Sequence, residues 1–357
     1  MGSPVIRNKD GEKVRGIYMR VTSDGRAALV CNCGYCVEAR KARGEQPVAE
    51  MRSADLRETL DLFAESGMNL ILLCLPGDVL SPDNENVINT VVREAHARGM
   101  EVHPVCWALA GEAPRPEFRM VNAEGKAVPY SDPGNPALRA FVIHALANLL
   151  RRCAIDGISL DGVRYVETEL SGDCCYCSTC RDQFRRGYGY DPIVLAKSGK
   201  EAGAREQAYA PGMFLWNKAR CENVTAFVRE LKAAMSAVRR EALLSAYVWG
   251  YASRLVFQDW PTWLEEGYLD WINPSGYTYG RDAFLRRCLD VKYMRRGEQP
   301  LCITLGPHTS HGRVADVEEL VEQMEIARQT GADGVIFFTH SIEELHAWLP
   351  RLSQVRL

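Results

Sequence analysis

Eight short aliphatic and β-branched runs, separated by stretches of helical periodicity, predict a single-domain α/β fold: a (β/α)8 TIM barrel over residues 1–357. Two further observations support that class. No Gly-x-Gly-x-x-Gly follows the first strand, so a dinucleotide-binding open sheet has no support. The 357 residues exceed the roughly 250 of an ordinary barrel, and elongated, cysteine-bearing loops after strands 1 and 4 account for much of the excess.

The elements follow in order. Residues 14–21 read as the first strand. A helix over 55–66 is expected with Ser53 as its cap, then a strand over 69–75 closed by Pro76-Gly77. A helix over 86–98 stops at Gly99, where a left-handed residue ends it readily. Strand three spans 101–107, a helix spans 136–152, and strand four spans 157–161. A polar insertion over 166–211 interrupts the alternation and carries a cysteine knot. The helix over 214–240 restores it, and strand five occupies 243–249. A short helix over 260–266 leads to strand six at 269–273. A helix over 281–295, strand seven over 301–305, and a helix over 317–330 come next. Strand eight over 333–338 and a helix over 342–349 close the series.

Composition excludes several classes. Hydrophobic content of 46% and charged content of 25% are those of an ordinary globular domain. A formal charge of -3 gives no basic surface for nucleic acid. No apolar run of transmembrane length and no secretory leader is legible, so no membrane partner and a cytoplasmic location are expected. A homo-oligomer is permitted but not specified. No organic cofactor is expected.

The 13 cysteines are an odd number, which argues against a closed disulfide set. Six of them fall in a repeated Cys-x-Cys-x-x-Cys pattern, Cys31-Asn32-Cys33-Gly34-Tyr35-Cys36 and Cys175-Tyr176-Cys177-Ser178-Thr179-Cys180. Three closely spaced soft thiolates suit Zn²⁺, which wants four ligands in a closed structural site. Cys106 ends strand three beside the second knot and is the expected fourth donor there, while the first knot would need a donor from another loop. One or two structural zinc sites are therefore expected.

In a barrel of this kind the site lies at the C-terminal ends of the strands. That rule selects Trp107 after strand three and Asp161, Arg164 and Tyr165 after strand four. It also selects Trp249 after strand five, Asn273 and Tyr277 after strand six, and His308 and His340 after strands seven and eight. Asp161 emerges from the apolar run Ile158-Ser159-Leu160, where a carboxylate must be paired or used. Hydrolysis of a glycosidic bond needs two carboxyl groups, one keeping its proton. Glu167 and Glu169 are the leading candidates for the second, ahead of Asp78, Asp259 and Glu343. Aromatic rings at the same face suit the apolar side of a sugar, with Trp107 and Trp249 as the expected contacts. The competing readings are a non-catalytic carbohydrate-binding barrel and a metal-dependent hydrolase or isomerase using His308, His340 and Asp161.

Asp161-Gly162-Val163-Arg164-Tyr165, together with Asn273-Pro274-Ser275-Gly276-Tyr277, resembles the glycosyl-hydrolase-like family 10 barrels. That resemblance implies a carbohydrate substrate and assigns the catalytic aspartate to Asp161. The stretch Cys175-Tyr176-Cys177-Ser178-Thr179-Cys180-Arg181-Asp182-Gln183-Phe184, followed by Tyr188-Gly189, is similar to the zinc loop of family 42 β-galactosidases, and implies Cys106 as the fourth ligand. In that family a glutamate ending strand seven is the nucleophile, whereas here the strand leads into Gly306-Pro307-His308 and has none. That departure argues against a β-galactosidase.

Overall fold

The structure is a computed structural model that describes residues 13–29, 41, 44, 53–75, 81, 84–167, 174–199 and 211–357. Cys31, Cys33 and Cys36 of the first knot, Asp78 and Glu169 lie outside the described residues.

β1 (Val14–Val21), β4 (Leu70–Cys74), β5 (Glu101–Trp107), β8 (Gly157–Asp161), β9 (Leu243–Val248), β10 (Trp271–Pro274), β11 (Cys302–Thr309) and β13 (Gly334–Thr339) are the eight expected strands. Five short strands join them: β2 (Ala27–Ala28), β3 (Ser53–Ala54), the hairpin β6 (Arg119–Val121) and β7 (Ala127–Ser131), and β12 (Gly312–Arg313). The helices are α1 (Leu56–Glu65), α2 (Glu85–His96), α3 (Pro136–Arg152), α4 (Ser178–Tyr188), α5 (Ile193–Gly199), α6 (Pro211–Val238), α7 (Trp260–Glu265), α8 (Arg281–Met294), α9 (Val317–Gln329) and α10 (Ile342–Leu352).

The expectation of a closed barrel is overturned. The sheet runs β10-β9-β8-β5-β4-β1-β13-β11-β12. It forms a curled, open nine-strand half-barrel that turns through 251°, with its edges 17 Å apart. The eighth ladder fails for a local reason. β10 is only four residues long and ends at Pro274, which has no N–H to donate. Across the seam, isolated bridges Ile272↔Leu301 and Ser275↔Thr304 and a 3.4 Å bond from the Thr304 hydroxyl to the Asn273 carbonyl stand in place of a ladder. β11 instead turns back on itself and pairs antiparallel with β12.

Strand alternation divides the residues between two environments. Val14, Tyr18, Leu70, Leu72, Trp271, Cys302 and Ile336 form an apolar cluster inside the curl. The opposite faces of the strands join the larger core beneath the helices. Gly157 is required inside: an added Cβ would stand 2.5 Å from the Leu243 carbonyl and 2.8 Å from His103. The same alternation places Gly157, Ser159 and Asp161 on one face of β8, and Ile158 and Leu160 on the other.

Helix ends follow from local chemistry. Asp55, rather than Ser53, caps α1 by accepting N–H bonds from Arg57 and Glu58. Asn135 caps α3 in the same way, with Pro136 in its first turn. The 166–211 insertion is not a plain loop, because it contains α4 and α5. Among the described residues no helix is long and apolar enough to cross a membrane.

Candidate active site and metal cluster

In-register pairing gathers the mouth of the half-barrel. Trp107 pairs with Asp161 across β5 and β8. Tyr247 pairs with Asn273 across β9 and β10, and Arg20 with Cys74 across β1 and β4. Asp161 accepts a 2.6 Å bond from the Gly162 N–H. Burial raises its carboxyl above the ordinary aspartate value, opposed by that N–H and by Arg164 and Arg20. The charges acting on it are thus cationic.

Arg164 is buried and lies 4.8 Å from the Trp249 ring and 5.9 Å from the Trp107 ring. It pairs with Glu167 at 3.1 Å and donates to the Tyr165 carbonyl at 3.2 Å. Trp107 is 57% exposed, an unusual position for so large a ring and one suited to covering a ligand. Three phenols, Tyr18, Tyr247 and Tyr277, stand on β1, on β9 and just after β10 of the same sheet. Asn273 Nδ2 donates to Tyr18 Oη at 2.7 Å, and Tyr247 and Tyr277 stack with centroids 5.9 Å apart. Burial raises the Tyr18 and Tyr277 hydroxyls well above the usual phenol value, and the charge of Asp161 adds to both. Phe338 packs edge-on to Tyr18 and under Arg20.

Most of the residues selected from the sequence for this face therefore meet here. Tyr165 does not. It is 1% exposed, its ring edge on Phe257 and its hydroxyl accepting from Asn223 Nδ2 at 3.1 Å. His308 lies 3.5 Å from Glu344, with its ring 5.9 Å from that of His340. Tyr18 and Tyr247 were missed because a rule that reads only strand ends skips them. Counting back by twos along the inward face of each strand would have found them.

A second cluster forms behind this mouth. Asp132, Cys175, Cys177 and Cys180 bring one ligand atom each to within 4.8 Å of one another. Cys177 precedes α4 and its sulfur accepts the Cys180 N–H at 3.4 Å, a position at a helix N-terminus that favours thiolate. Cys175 Sγ accepts from the N–H groups of Val121 at 3.2 Å and Cys177 at 3.4 Å. Asp132 Oδ1 accepts from the Gly134 N–H at 2.9 Å.

The electrostatics of the four groups are mutually dependent. Burial first, then the charge of Cys177, pushes the Asp132 carboxyl up to about 7. Thiols donating from Cys175 and Cys180 pull Cys177 down, and the same contacts push those two thiols up. Three sulfurs and a carboxylate in a buried pocket, two of the sulfurs already accepting N–H bonds, make a donor set that fits a soft divalent ion. Tetrahedral ligands at ~2.3 Å from sulfur to metal would be separated by about 3.8 Å, within the observed spread.

The expected fourth donor is thereby corrected. Cys106 is 1% exposed in the core outside the curl and is not one of the four; Asp132, between β7 and α3, takes that place. Among the described residues this is the only group of three or more potential ligands, and Asp161, His308 and His340 are not brought together as one.

The chain belongs to the glycosyl hydrolase-like 10 family, whose model matches residues 72–296 and so includes Asp132 and the three cysteines, and Trp107, Asp161, Arg164 and Trp249 of the mouth. The glycoside hydrolase domain of PgaB (BpsB) from Bordetella bronchiseptica has a similar structure, with TM-score 0.63 and 13% identity over 97% of this chain and 98% of that one. β-Galactosidases are also similar. That from Bacillus circulans sp. alkalophilus gives TM-score 0.61 at 14% identity over 84% of this chain and 54% of that one. That from Marinomonas ef1 gives 0.60 at 12% over 91% and 54%. This chain spans about half the length of those two β-galactosidases, and at such identities the likeness is one of fold. No curated protein sequence matches the chain.

Proposed function

We propose that the protein hydrolyses a glycosidic bond of a carbohydrate at the mouth of the half-barrel, with Asp161 as its catalytic carboxyl. The observation that carries this reading is a carboxyl at a strand end whose affinity for its proton is raised by burial, between two arginines and beside exposed Trp107. Asp161 gives its proton to the leaving oxygen as the bond to the anomeric carbon breaks. The resulting carboxylate is held by the Gly162 N–H and the charges of Arg164 and Arg20. Glu167, kept near Arg164 by a 3.1 Å ion pair, takes a proton from the water that adds to that carbon, with Glu169 the alternative. Trp107, Trp249, Tyr247 and Tyr277 cover the sugar faces.

The cluster of Asp132, Cys175, Cys177 and Cys180 holds Zn²⁺ in this reading. All four positions are filled by protein, so the ion supplies cohesion between loops rather than a reactive water.

The test is reducing-end release from a panel of glycans and aryl glycosides by the wild type and Asp161→Asn. Loss of about 10²–10⁴-fold, with sugar affinity retained, is the expected result. Equal turnover by the two proteins would remove Asp161 from the mechanism. Sugar binding without turnover by either would leave a carbohydrate-binding half-barrel.

A further inference from the structure

Asp132 and the three cysteines do not touch the mouth, yet packed contacts join the two regions. Tyr165 follows Arg164 directly, and the two side chains go to different places. Arg164 enters the mouth beside Trp249, while Tyr165 is buried against Phe257 and Asn223. Asn223 reaches the cluster through Gly134. A Cβ built there would meet Cys180 Sγ, would stand 3.0 Å from Asn223 Nδ2, and would stand 3.1 Å from Asp132 Oδ1. The Asn223 amide and two of the four ligands therefore crowd one face of a glycine that leaves no spare space. A second route runs through Arg220, which lies 4.2 Å from the Phe257 ring and donates to the Cys174 carbonyl at 3.4 Å. Both routes end on Tyr165, and its backbone carbonyl accepts from Arg164.

We infer that the metal-loaded cluster is a positioning device for Arg164, acting through Asn223 and Tyr165, so that loading controls how firmly the mouth grips its sugar. The inference rests on the metal reading above and needs no particular sugar. Asn223 and Tyr165 are positioning residues, since neither reaches the mouth itself. With the ion bound, the four ligands hold the Asp132–Gly134 turn and the start of α4 together, and Asn223 is pressed onto the Tyr165 hydroxyl. Without it, only the weaker thiol contacts on Asp132, from Cys177 at 3.2 Å and Cys180 at 3.4 Å, keep that face closed. The segment 161–167 then loses the support on its buried side, and Arg164 loses its stacked geometry.

The experiment is hydrogen exchange on the metal-loaded and metal-stripped wild type, and on metal-loaded Tyr165→Phe and Asn223→Ala, with bound zinc counted in each. Stripping is expected to speed exchange in peptides over 157–167 by about tenfold while peptides over 302–309 stay protected. Tyr165→Phe and Asn223→Ala are expected to keep their zinc and still show a rise of several-fold over 157–167. Where a glycoside is turned over, KM is expected to rise in both variants with kcat held within about twofold. Absence of bound zinc in the wild type would overturn the inference together with the metal reading. Zinc bound at full stoichiometry with no change over 157–167 in the two variants would overturn the inference alone. That arm also decides the case if stripping unfolds the whole chain.

Discussion

Two carboxyl groups, buried Asp132 and half-buried Asp161, share their largest perturbation and a glycine N–H, and differ in their charged neighbours. Burial raises both above the ordinary aspartate value. Asp132 then meets sulfur: Cys177 at 3.2 Å and Cys180 at 3.4 Å. Asp161 meets cations, Arg164 and Arg20, at the open end of the half-barrel. One set of neighbours calls for a positive ion to neutralise it, and the other supplies positive charge already. Desolvation alone therefore does not define a catalytic residue; the sign and hardness of the surrounding groups decide whether the carboxyl suits a metal ion.

The sharpest way to break this contrast is to exchange the consequences. Asp161→Asn is expected to abolish hydrolysis while leaving bound metal and overall fold unchanged, as checked by turnover, metal analysis and circular dichroism. Asp132→Ala and Cys180→Ser are expected to do the reverse. Bound metal should fall from about one ion per chain to near none, with several kcal/mol of stability lost in denaturant titration. Cys106→Ser separates the geometry from the family resemblance. It should retain the metal, and its loss would restore Cys106 as a ligand.

The pH dependence sharpens the comparison further. The folded protein holds the Asp161 proton more tightly than the unfolded chain does. Its contribution to stability is then complete below the ordinary aspartate range and declines as pH rises through the raised value. Asp161→Asn is expected to be at least as resistant to heat as the wild type at pH 8, where the wild type must keep a charge in a desolvated place. Acting as an acid, Asp161 should also give a falling limb of hydrolysis above the ordinary carboxyl range.

Smaller effects test the scaffold on which both clusters stand. Gly157→Ala would press a methyl onto the Leu243 carbonyl and His103, and is expected to cost about 1–3 kcal/mol, measured by chemical denaturation. The smallest effect concerns Asp191. Arg181, at 2.5 Å, holds its carboxyl well below the usual carboxylate range, helped by the Ile193 N–H and by Arg185. A depressed value stabilises above the ordinary aspartate range and is lost as pH falls below it. Asp191→Asn is therefore expected to cost about 1 kcal/mol at pH 7, screened because the arginines are partly exposed, and little at pH 2.

Local signals in the chain explain which elements could be read from it. β1, β5 and β8 fall at 14–21, 101–107 and 157–161 as expected, because each is a short run bounded by polar or turn residues. The β6–β7 hairpin escaped because its strands are short and interrupted by polar residues and Pro129. α4 escaped because its sequence is polar on most faces, and α5 because its apolar run, Ile193-Val194-Leu195-Ala196, is only four residues long inside a polar insertion that reads as a loop. Asp161 and Arg164 were legible as strand-end charges after an apolar run. Tyr18 and Tyr247 were not, because their significance depends on which neighbours share their layer. Asp132 was invisible as a ligand, since nothing near it in sequence carries sulfur.

By itself, then, the amino-acid sequence determined the alternation of strands and helices, the three sulfurs of one cluster and the carboxyl most worth testing. These are local properties: periodicity, spacing and a charge set against an apolar run. Only the tertiary structure decided that the sheet stays open, that Asp132 rather than Cys106 completes the sulfur cluster, and that Tyr165 faces that cluster while Arg164 faces the mouth. Each of those outcomes depends on through-space distances between segments far apart in the chain. Pro274 at the end of a four-residue strand leaves the sheet unclosed, and the turn after β7 carries a carboxylate to the cysteines ahead of any thiol from β5.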